Sequence, residues 1–404
     1  MSLLSLEDAL ELLAGIRPQT EARDCTLRDA AGARLAAPVI AKVSRPPAAV
    51  SAMDGYGVRL ADVGTPGAVL TVIGEVPAGR PFAGRVGPGE AVRIFTGGEV
   101  PDGADHIVIQ EDATREGDTV TCHEGHARAQ YVRPAGMDFA EGDTVIGAGT
   151  PIGPFELAMA AAANHDMLCV HRPPRVAILA NGDELKPPGS ALAHGEIVNS
   201  NPPGLAALVR AWGGEACDLG IAGDSVASIR DHLSRAHDAD ILLPVGGASV
   251  GEHDHMRAAL AEEGFEILFQ GVRVRPGKPT WAGRREGQVV LGLPGNPASA
   301  LVCAHLFLKP LLTGEGTMAM WPARLAAPLP ANGPRRSFLR ARASHDSESG
   351  LLVEADDNQD SSRLSPFIRG NCLIDRTEHA PAAAAGASVN ILWLEGAGRR
   401  LNRP

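Results

Sequence analysis

Hydrophobic residues change their spacing along the chain, and each change predicts a different kind of element. Leu3, Leu6, Leu10 and Leu13 recur every three or four residues, which predicts an amphipathic helix at the start. Between residues 41 and 140, short β-branched runs alternate with turns rich in glycine and proline, which predicts an all-β module. These runs lie at residues 69–73, 91–95, 107–110 and 119–122.

From residue 175 the pattern becomes an alternation of strands and helices. Short apolar runs at 175–180, 215–221, 241–245 and 289–293 are each followed by a polar loop. Apolar strands of this kind predict a parallel, doubly wound sheet with helices on both faces. A long apolar helix should then run to Leu312, and short strands return after Pro322. The predicted fold class is therefore α/β plus β, in several domains.

Composition excludes several classes of function. The 404 residues carry a net charge of −11 and only 4% aromatic residues, so neither a basic field nor a stacking platform for nucleic acid is present. No apolar run is long enough to span a membrane, and the first helix lacks the basic start of a signal peptide. The six cysteines are scattered without a metal-like spacing. These features predict a soluble protein of a reducing compartment, the cytoplasm.

The loops that follow the predicted parallel strands carry the candidate chemistry, because ligands bind at the carboxyl ends of such strands. The first strand is followed by Asp183 and Glu184, and the second by Asp224. The third is followed by a glycine loop at 246–254, and the last by a Pro-Gly-Asn-Pro turn at 294–297 that opens a helix. Glycine N–H groups and a helix start can hold an oxyanion.

Charged residues gather around the same loops. Arg273, Arg275 and Lys278 form the dense cationic spot of this region, while Asp183, Glu184, Asp224 and Asp254 supply carboxylates. A divalent cation that bridges carboxylate and phosphate oxygens would reconcile these opposed charges, and Mg²⁺ is the ordinary choice.

Plainer interpretations stay open for each feature taken alone. A Gly-Gly pair can be a simple turn, residues 182–184 a solvated turn, and Asp224 a helix N-cap. The Asp54-Gly55 pair can be an ordinary turn as well. The histidine clusters at 253–255 and 123–126 have poor metal-ligand spacing, and no P-loop or catalytic triad is legible.

Taken in order, eight segments resemble the molybdopterin molybdenumtransferase (MoeA) family, which is related to the C-terminal domain of gephyrin. The segments are SAMDGYGV at 51–58, RIFTGGEVPDGAD at 93–105, RPAGMD at 133–138, GDEL at 182–185, NSN at 199–201, GGASVGEHD at 246–254, RPGKP at 275–279 and GLPGNPAS at 292–299.

The resemblance implies four domains in each subunit of a homodimer. Residues 1–22 and 172–320 would form the α/β molybdopterin-binding domain, and 23–40 with 141–171 a connecting domain. Residues 41–140 would form a β-rich lobe, and 321–404 a C-terminal β domain. The active cleft would lie between the α/β domain of one subunit and the β lobe of the other.

The implied reaction inserts molybdate into adenylylated molybdopterin, with Mg²⁺-dependent release of AMP. The resemblance implies catalytic roles for Asp54, Asp138, Glu184, Asp224 and Asp254, with Asp224 and Asp254 also binding the metal. It implies substrate binding by Thr96, Asp183, Gly246, Gly247, Ser249, Arg275, Lys278, Pro294, Gly295, Asn296, Pro297, Ser299, Arg340 and Ser362, with Ser361 as an alternative to Ser362. A molybdopterin adenylyltransferase and molybdoenzyme acceptors are the implied partner proteins.

Three residues depart from the family pattern: Asn181, Pro244 and Arg275. Two alternative functions stay open on the sequence. The first is a molybdopterin adenylyltransferase, a family similar to the α/β domain alone. The second is a non-catalytic dimeric scaffold of the gephyrin kind, which has no reason to retain the carboxylates together with Lys278.

Overall fold

The computed structural model describes residues 3–247, 255–316, 318–346 and 350–396. The chain divides into two compact units, Ala22–Arg172 and the combination of Met1–Glu21 with Pro173–Pro404. Within the described ranges, every helix is too short or too polar to cross a membrane. All six cysteines are free thiols.

The predicted N-terminal helix is present as α1, Leu6–Gly15. The Ser5 hydroxyl accepts a hydrogen bond from the Asp8 N–H at 3.0 Å and so caps the first turn. Leu6 and Leu13 are buried in the core of the unit that contains residues 173–404, as their helical spacing predicts.

The unit Ala22–Arg172 consists of short strands and one helix. Its elements are β1 Ala22–Thr26, β2 Arg34–Leu35, β3 Val39–Ile40, β4 Val50–Ser51, β5 Gly55–Val58, β6 Val69–Val76, β7 Glu90–Ile94, β8 His106–Ile109, β9 Ala113–Glu116, β10 Thr119–Cys122, β11 Val132–Arg133, β12 Thr144–Ile146, α2 Pro154–Ala162 and β13 Met167–His171. A six-stranded sheet has the order β8-β5-β7-β6-β10-β9, and β1-β13-β2 form a second sheet. The short pairs β4/β11 and β3/β12 complete the unit.

The α/β part of the other unit follows the predicted alternation. Its elements are β14 Arg175–Asn181, β15 Leu185–Lys186, β16 Ile197–Val198, α3 Asn201–Ala211, β17 Glu215–Ala222, α4 Val226–Leu233, β18 Ile241–Val245, α5 His255–Glu262, β19 Glu266–Phe269, β20 Val274–Arg275, β21 Trp281–Arg285, β22 Gln288–Gly292, α6 Pro297–Cys303 and α7 Lys309–Thr313. A π-helical segment, Ala304–Leu308, joins α6 to α7.

The main sheet of this part has the order β17-β14-β18-β22-β21-β19. The first four strands are parallel. Strand β21 runs opposite to them and pairs antiparallel with both β22 and β19, so the expectation of a purely parallel sheet is wrong at this edge. The chain passes from β14 to β17 on one side and then to β18 on the other. The carboxyl ends of β14 and β18 therefore form the topological switch point of the sheet, where ligands bind in such folds.

The predicted C-terminal β-rich region is a closed barrel. Its elements are β23 Met320–Leu325, β24 Arg336–Asp346, β25 Gly350–Ala355, α8 Ser365–Arg369, β26 Cys372–Arg376 and β27 Ser388–Trp393. The order β24-β25-β23-β27-β26 closes on itself because β26 also pairs with β24. Strand β20 pairs in parallel with the start of β24, at Arg336 and Ser337.

The barrel packs firmly on the α/β part. Phe338, Leu392 and Leu394 of the barrel region are buried in the same cluster as the helices α1 and α6. Arg336 bridges Asp375 at 2.7 Å and also contacts Glu7 of α1.

His305, in the π-helical segment, connects the two parts. Its Nδ1 lies 2.8 Å from the Leu301 carbonyl oxygen, and its Nε2 accepts a hydrogen bond from the Glu395 N–H at 3.1 Å. Burial lowers the pKa of His305 from its ordinary value of 6.5 to about 4. The ring is therefore neutral in the folded protein at neutral pH.

His305 predicts an acid-sensitive fold. Because an unfolded chain protonates this histidine near pH 6.5 and the folded one only near pH 4, its contribution is complete above about pH 6.5. Below that pH, the free energy of unfolding should fall by about 1.4 kcal/mol per pH unit until about pH 4. Tryptophan fluorescence during urea denaturation measures this unit alone, because all four tryptophans lie within Pro173–Pro404.

The control for this prediction is His305→Gln. The variant should have a lower free energy of unfolding at pH 7.5. Between about pH 6.5 and pH 4, that free energy should fall less steeply with decreasing pH than in the unaltered protein, because one titrating histidine is missing. An unchanged slope in the variant would show that other groups cause the acid sensitivity.

Candidate active site

A cleft of about 560 Å³ lies at the switch point of the sheet. We call it the main cleft. Its lining residues are Asn181, Glu184, Leu185, Ile197, Val198, Asn199, Ser200, Asn201, Val245, Gly246, Gly247, Pro279, Pro294, Gly295, Asn296, Pro297 and Ser362. Eight of the residues that the sequence nominated are among them: Glu184, Gly246, Gly247, Pro294, Gly295, Asn296, Pro297 and Ser362. The structure therefore brings the loops of three strand ends to one place.

The glycine pair at the end of β18 lies tightly against β14. Gly246 and Gly247 have φ angles of 94° and 62°, and a Cβ atom at Gly247 would lie 2.4 Å from the Asn181 Oδ1. A side chain would strain the backbone and displace Asn181. The N–H of Gly247 forms no hydrogen bond with a described residue and can face an anion. Ser249 and Asp254, which follow in the same loop, lie outside the described residues.

Two aspartates form a reciprocal pair beside the cleft. The Asp224 N–H donates to Asp183 Oδ1 at 3.1 Å, and the Asp183 N–H donates to Asp224 Oδ2 at 3.4 Å. The Asn181 side-chain amide donates to Asp224 Oδ1 at 2.9 Å. Asn181, which the sequence marked only as a departure from the family pattern, thus orients this carboxylate.

Helix α4 is capped by the neighbouring serine and not by Asp224. The Ser225 hydroxyl accepts a hydrogen bond from the Ser228 N–H at 3.2 Å. The N-cap interpretation of Asp224 is therefore wrong. Its carboxylate accepts from Asn181 and Asp183 instead of from the first turn of α4.

The aspartate pair fits a magnesium ion only in part. Carboxylate oxygens are the donors that Mg²⁺ prefers, and the ion commonly uses one or two carboxylates together with substrate phosphates and water. Within the described residues, however, no three His, Cys, Asp or Glu side chains converge on one point. Asp183 and Asp224 can therefore supply two ligands, and the substrate would have to supply others.

The Pro-Gly-Asn-Pro turn closes the opposite wall of the cleft. The buried Asn201 amide donates to the Gly295 carbonyl oxygen at 2.8 Å, and Pro297 begins α6. Ser299 lies in the first turn of α6 and is only 5% exposed. The Asn201 contact was missed from the sequence, although the run Asn199-Ser200-Asn201 before a helix is a visible polar signal.

The predicted cations lie on strand β20 and in the turn after it. Arg275 and Lys278 are exposed and form no ion pair with a described residue, and Pro279 of the same turn lines the main cleft. We call residues 275–279 the cation turn. Arg273 is occupied elsewhere, because its guanidinium contacts Glu378 at 3.1 Å and the Leu3 carbonyl oxygen at 2.8 Å.

Arg340 was expected in the anion pocket, but its side chain is buried in the barrel and only 1% exposed. Its Nε donates to Gln359 Oε1 at 3.2 Å, and its Nη1 donates to the carbonyl oxygens of Asp360 and Arg363. The guanidinium does not line the main cleft and instead holds the loop 359–363. The prediction that Arg340 lies in the anion pocket is therefore wrong, because hydrogen bonds to residues 359–363 hold its side chain inside the barrel.

The loop that Arg340 holds reaches the main cleft. The Ser361 carbonyl oxygen accepts from the Ala298 N–H at 3.0 Å, and its hydroxyl accepts from the Asn296 amide at 2.9 Å. Ser362 lines the cleft, and its hydroxyl donates to Asp360 Oδ1 at 2.6 Å. The barrel therefore contributes directly to this site.

The remaining nominated residues belong to the unit Ala22–Arg172. Gly55 begins β5 and pairs with Ile94 of β7, so the ordinary-turn interpretation of the Asp54-Gly55 pair is wrong. This register brings Asp54 Oδ1 to the Thr96 N–H at 2.7 Å and to its hydroxyl at 2.8 Å. These hydrogen bonds lower the pKa of Asp54 below its usual range. Asp138 is exposed and lies 3.6 Å from Arg45.

Comparison with known proteins agrees with this architecture. The MoeA N-terminal region (domain I and II) matches residues 4–164, a probable molybdopterin binding domain matches 177–314, and the MoeA C-terminal region (domain IV) matches 322–394. The crystal structure of a molybdopterin biosynthesis MoeA protein from Pyrococcus horikoshii has a TM-score of 0.81 at 26% identity. That match covers 97% of this chain and 100% of the other.

Two curated relatives extend the match. A molybdopterin molybdenumtransferase of Nostoc sp. is 36% identical over 78% of this chain and 75% of its own length. One from Haemophilus influenzae is 31% identical over 96% of this chain and 98% of its own. Fold and cleft thus define a multidomain transferase built around a domain of the molybdopterin-binding class.

The chain belongs to the molybdopterin molybdenumtransferase (MoeA) family of molybdenum cofactor biosynthesis. This confirms the resemblance and the fold class that the motifs predicted. Since curated relatives of this name match over most of the chain, neither the adenylyltransferase nor the scaffold alternative is favoured.

The close approach of Gly247 to Asn181 predicts the effect of a single methyl group. Gly247→Ala should lower the free energy of unfolding by about 1–2 kcal/mol for the left-handed backbone and by about 1–3 kcal/mol more for the collision. Gly264→Ala is the matched control, because Gly264 has a φ of 81° and nothing lies within 4 Å of its Cβ position. Urea denaturation followed by tryptophan fluorescence compares the two. Equal losses would show that the collision with Asn181 is relieved at no cost.

Proposed function

We propose that this chain inserts molybdate into adenylylated molybdopterin and releases AMP. The observation that carries the proposal is the main cleft, where Glu184, the glycine pair after β18 and the Pro-Gly-Asn-Pro turn meet. Its wall residue Asn181 donates to Asp224 of the aspartate pair, and Pro279 of the cation turn lines it. Such a site suits a substrate that combines a phosphoanhydride with an oxyanion, and the names of the curated relatives specify molybdenum and molybdopterin.

The proposed reaction has two chemical steps, molybdate insertion and hydrolysis of the phosphoanhydride. Molybdate loses one oxide, which leaves as water with the two dithiolene protons, and two Mo–S bonds replace one Mo–O bond. Water attacks the phosphoanhydride, whose P–O bond breaks so that AMP leaves and the molybdopterin phosphate remains. One water molecule is produced and one is consumed.

The residues of the main cleft divide this work by their chemistry. Arg275 and Lys278 supply positive charge for molybdate, and the Ser299 hydroxyl is the proposed donor to its oxygens. The Ser362 hydroxyl already donates to Asp360 Oδ1. The backbone of Gly246, Gly247 and residues 294–297 approaches the pyrophosphate, which a helix start also favours. Glu184, which lines the main cleft, is the proposed acceptor of a proton from the attacking water.

Mg²⁺ would be held by Asp183 and Asp224 together with phosphate oxygens of the substrate. When bound, the ion neutralises the negative charge that builds up on the phosphates. Asp254 stays a predicted ligand outside the described residues. The homodimer, the contributions of Asp54, Thr96 and Asp138, and the location in the cytoplasm likewise stay predictions from the sequence.

Reconstitution with adenylylated molybdopterin, molybdate and Mg²⁺ tests the proposed reaction. AMP should appear in step with molybdenum bound to the pterin. Asp224→Asn should slow both by about 100-fold or more, because the metal and phosphate site loses a charge. Asp231→Asn is the control, since this exposed residue of α4 is remote from the strand ends.

Two results would contradict the reaction. The first is AMP release without molybdenum insertion. The second is the accumulation of adenylylated molybdopterin from molybdopterin and ATP, which would indicate an adenylyltransferase.

Lys278 tests the oxyanion site separately. Lys278→Ala should raise the KM for molybdate by about tenfold to a hundredfold, because charged hydrogen-bond donors contribute more than neutral ones. The KM for adenylylated molybdopterin should change much less. Lys278→Arg keeps the charge and should retain most of the affinity. A uniform loss of kcat with an unchanged molybdate KM would place Lys278 outside the oxyanion site.

A further inference from the structure

The cation turn rests on two buried side chains that the proposed reaction does not use. Thr280 follows the turn and Cys303 ends α6, and both residues are 0% exposed. Arg275 and Lys278 are exposed, whereas Gly277 between them is buried. The turn therefore has an outer side that carries the two cations and an inner side that packs on the protein.

Thr280 binds back to the turn. Its hydroxyl donates to the Gly277 carbonyl oxygen at 2.8 Å, and its N–H donates to the same oxygen at 3.0 Å. The Lys278 carbonyl oxygen accepts a hydrogen bond from the Val272 N–H at 3.0 Å. The backbone on both sides of the Lys278 side chain is therefore fixed by hydrogen bonds.

Cys303 contacts the inner side of the turn from α6. Its Sγ lies 3.2 Å from the Thr280 Oγ1 and 3.9 Å from the Pro276 carbonyl oxygen. Gly277 has a φ of 124°, and a Cβ atom there would lie 2.2 Å from the same sulfur. Only glycine lets the backbone come this close to the thiol. Burial raises the pKa of Cys303 to about 12, so the thiol is neutral and acts through contact and not through charge.

Helix α6 links this support to the proposed oxyanion site. Ser299, the proposed hydroxyl donor to molybdate, lies four residues before Cys303 and therefore on the same face of the helix. One helix face thus carries a group proposed to contact the oxyanion and a group that contacts the cation turn.

We infer that Thr280 and Cys303 are positioning residues of the oxyanion site, which hold the backbone of the cation turn in a fixed position relative to Ser299. The inference rests on the proposed function, in which Arg275 and Lys278 attract molybdate. A mobile turn would have to be ordered whenever the anion binds, and that ordering costs affinity. A turn held by buried contacts has lost this freedom before binding, so its positive charge is preorganised.

Calorimetric titration of the full-length protein with sodium molybdate tests the inference without turnover. Thr280→Val should weaken molybdate binding about fivefold to tenfold, because Gly277 loses a hydrogen bond and a methyl group replaces the hydroxyl beside Cys303. Thr280→Ser keeps the hydroxyl and should bind molybdate as tightly as the unaltered protein does. Unchanged binding by Thr280→Val would overturn the inference.

Thr313→Val is the matched control. It removes a hydrogen bond of 3.0 Å from a threonine hydroxyl to the Lys309 carbonyl oxygen, at the end of α7. Because Thr313 and Ser299 lie at opposite ends of the helical run that α6 begins, this variant should bind molybdate normally. Equal weakening by Thr313→Val and Thr280→Val would show that any lost hydroxyl has this effect, and would overturn the inference.

A double variant separates positioning from a general loss of stability. If Thr280 acts through the position of Lys278, Thr280→Val should weaken molybdate binding much less in a Lys278→Ala background than in the unaltered protein. An equal fold-change in both backgrounds would contradict the inference. In the complete reaction, Thr280→Val should raise the KM for molybdate and leave kcat and the KM for adenylylated molybdopterin nearly unchanged.

Cys303→Ala provides a second variant should Thr280→Val fail to fold. It removes the sulfur on which Gly277 packs but leaves both hydrogen bonds from Thr280 to the Gly277 carbonyl oxygen in place. The cavity should loosen the turn and weaken molybdate binding severalfold. Normal molybdate binding by Cys303→Ala would remove Cys303 from the inference.

Failure of this inference is distinguishable from failure of the proposed reaction. If the unaltered protein inserts molybdenum while Thr280→Val binds molybdate normally, only the positioning inference falls. If the unaltered protein binds molybdate, Thr280→Val binds it more weakly and neither inserts the metal, the proposed reaction falls and the positioning inference stands. An unaltered protein that neither binds nor inserts molybdate would overturn both.

Discussion

The contact between the Asn181 side chain and the glycine pair fixes the geometry of the main cleft. The Asn181 Oδ1 occupies the space where a Cβ of residue 247 would lie, while its amide holds the Asp224 carboxylate. One side chain thus sets how closely the ends of β14 and β18 approach and where the acidic pair stands. The parallel strands beneath are buried on both faces, so this edge rests on a rigid support.

The C-terminal barrel is a structural part of the site. Its buried Arg340 supports the loop that supplies Ser362, and Ser361 satisfies the N–H of Ala298 at the start of α6. A buried guanidinium is costly unless its donors are satisfied. Gln359 accepts from Nε and two backbone carbonyls accept from Nη1, while Nη2 has no partner among the described residues. The loop geometry is therefore stabilised from inside the barrel.

Sequence patterns predicted the elements well wherever local periodicity was strong. The strand at 119–122 and the strand at 241–245 have the bounds that their apolar runs indicated. Helix α1 buries two of the four expected leucines, Leu6 and Leu13, while Leu10 is partly buried and Leu3 precedes the helix. The reversed strand β21 was missed, because Gly283, Arg284 and Arg285 interrupt its apolar run. The four-residue strand β19 at the sheet edge was missed as well. Their pairing depends on neighbours distant in the chain, which periodicity does not encode.

The site shows the same division between local and distant information. Strand order placed Glu184, the glycine pair and the Pro-Gly-Asn-Pro turn at one sheet edge, and they meet there. Asp224 and Ser225 are both ordinary N-cap residues, so the sequence did not reveal that Ser225 is the one that caps α4. The buried position of Arg340 and the roles of Asn181 and Asn201 depend on tertiary partners, so no local motif could reveal them.

The strand that bears Arg275 bonds to the barrel and not to the α/β sheet, since Val274 and Arg275 pair with Arg336 and Ser337. The two halves of this unit are consequently not interchangeable modules. A chimera joined near residue 320 would inherit the cations that we propose for molybdate from one parent and the strand that Arg275 pairs with from the other. Recombination among relatives should therefore favour crossovers that keep residues 274–275 and 336–337 from the same parent.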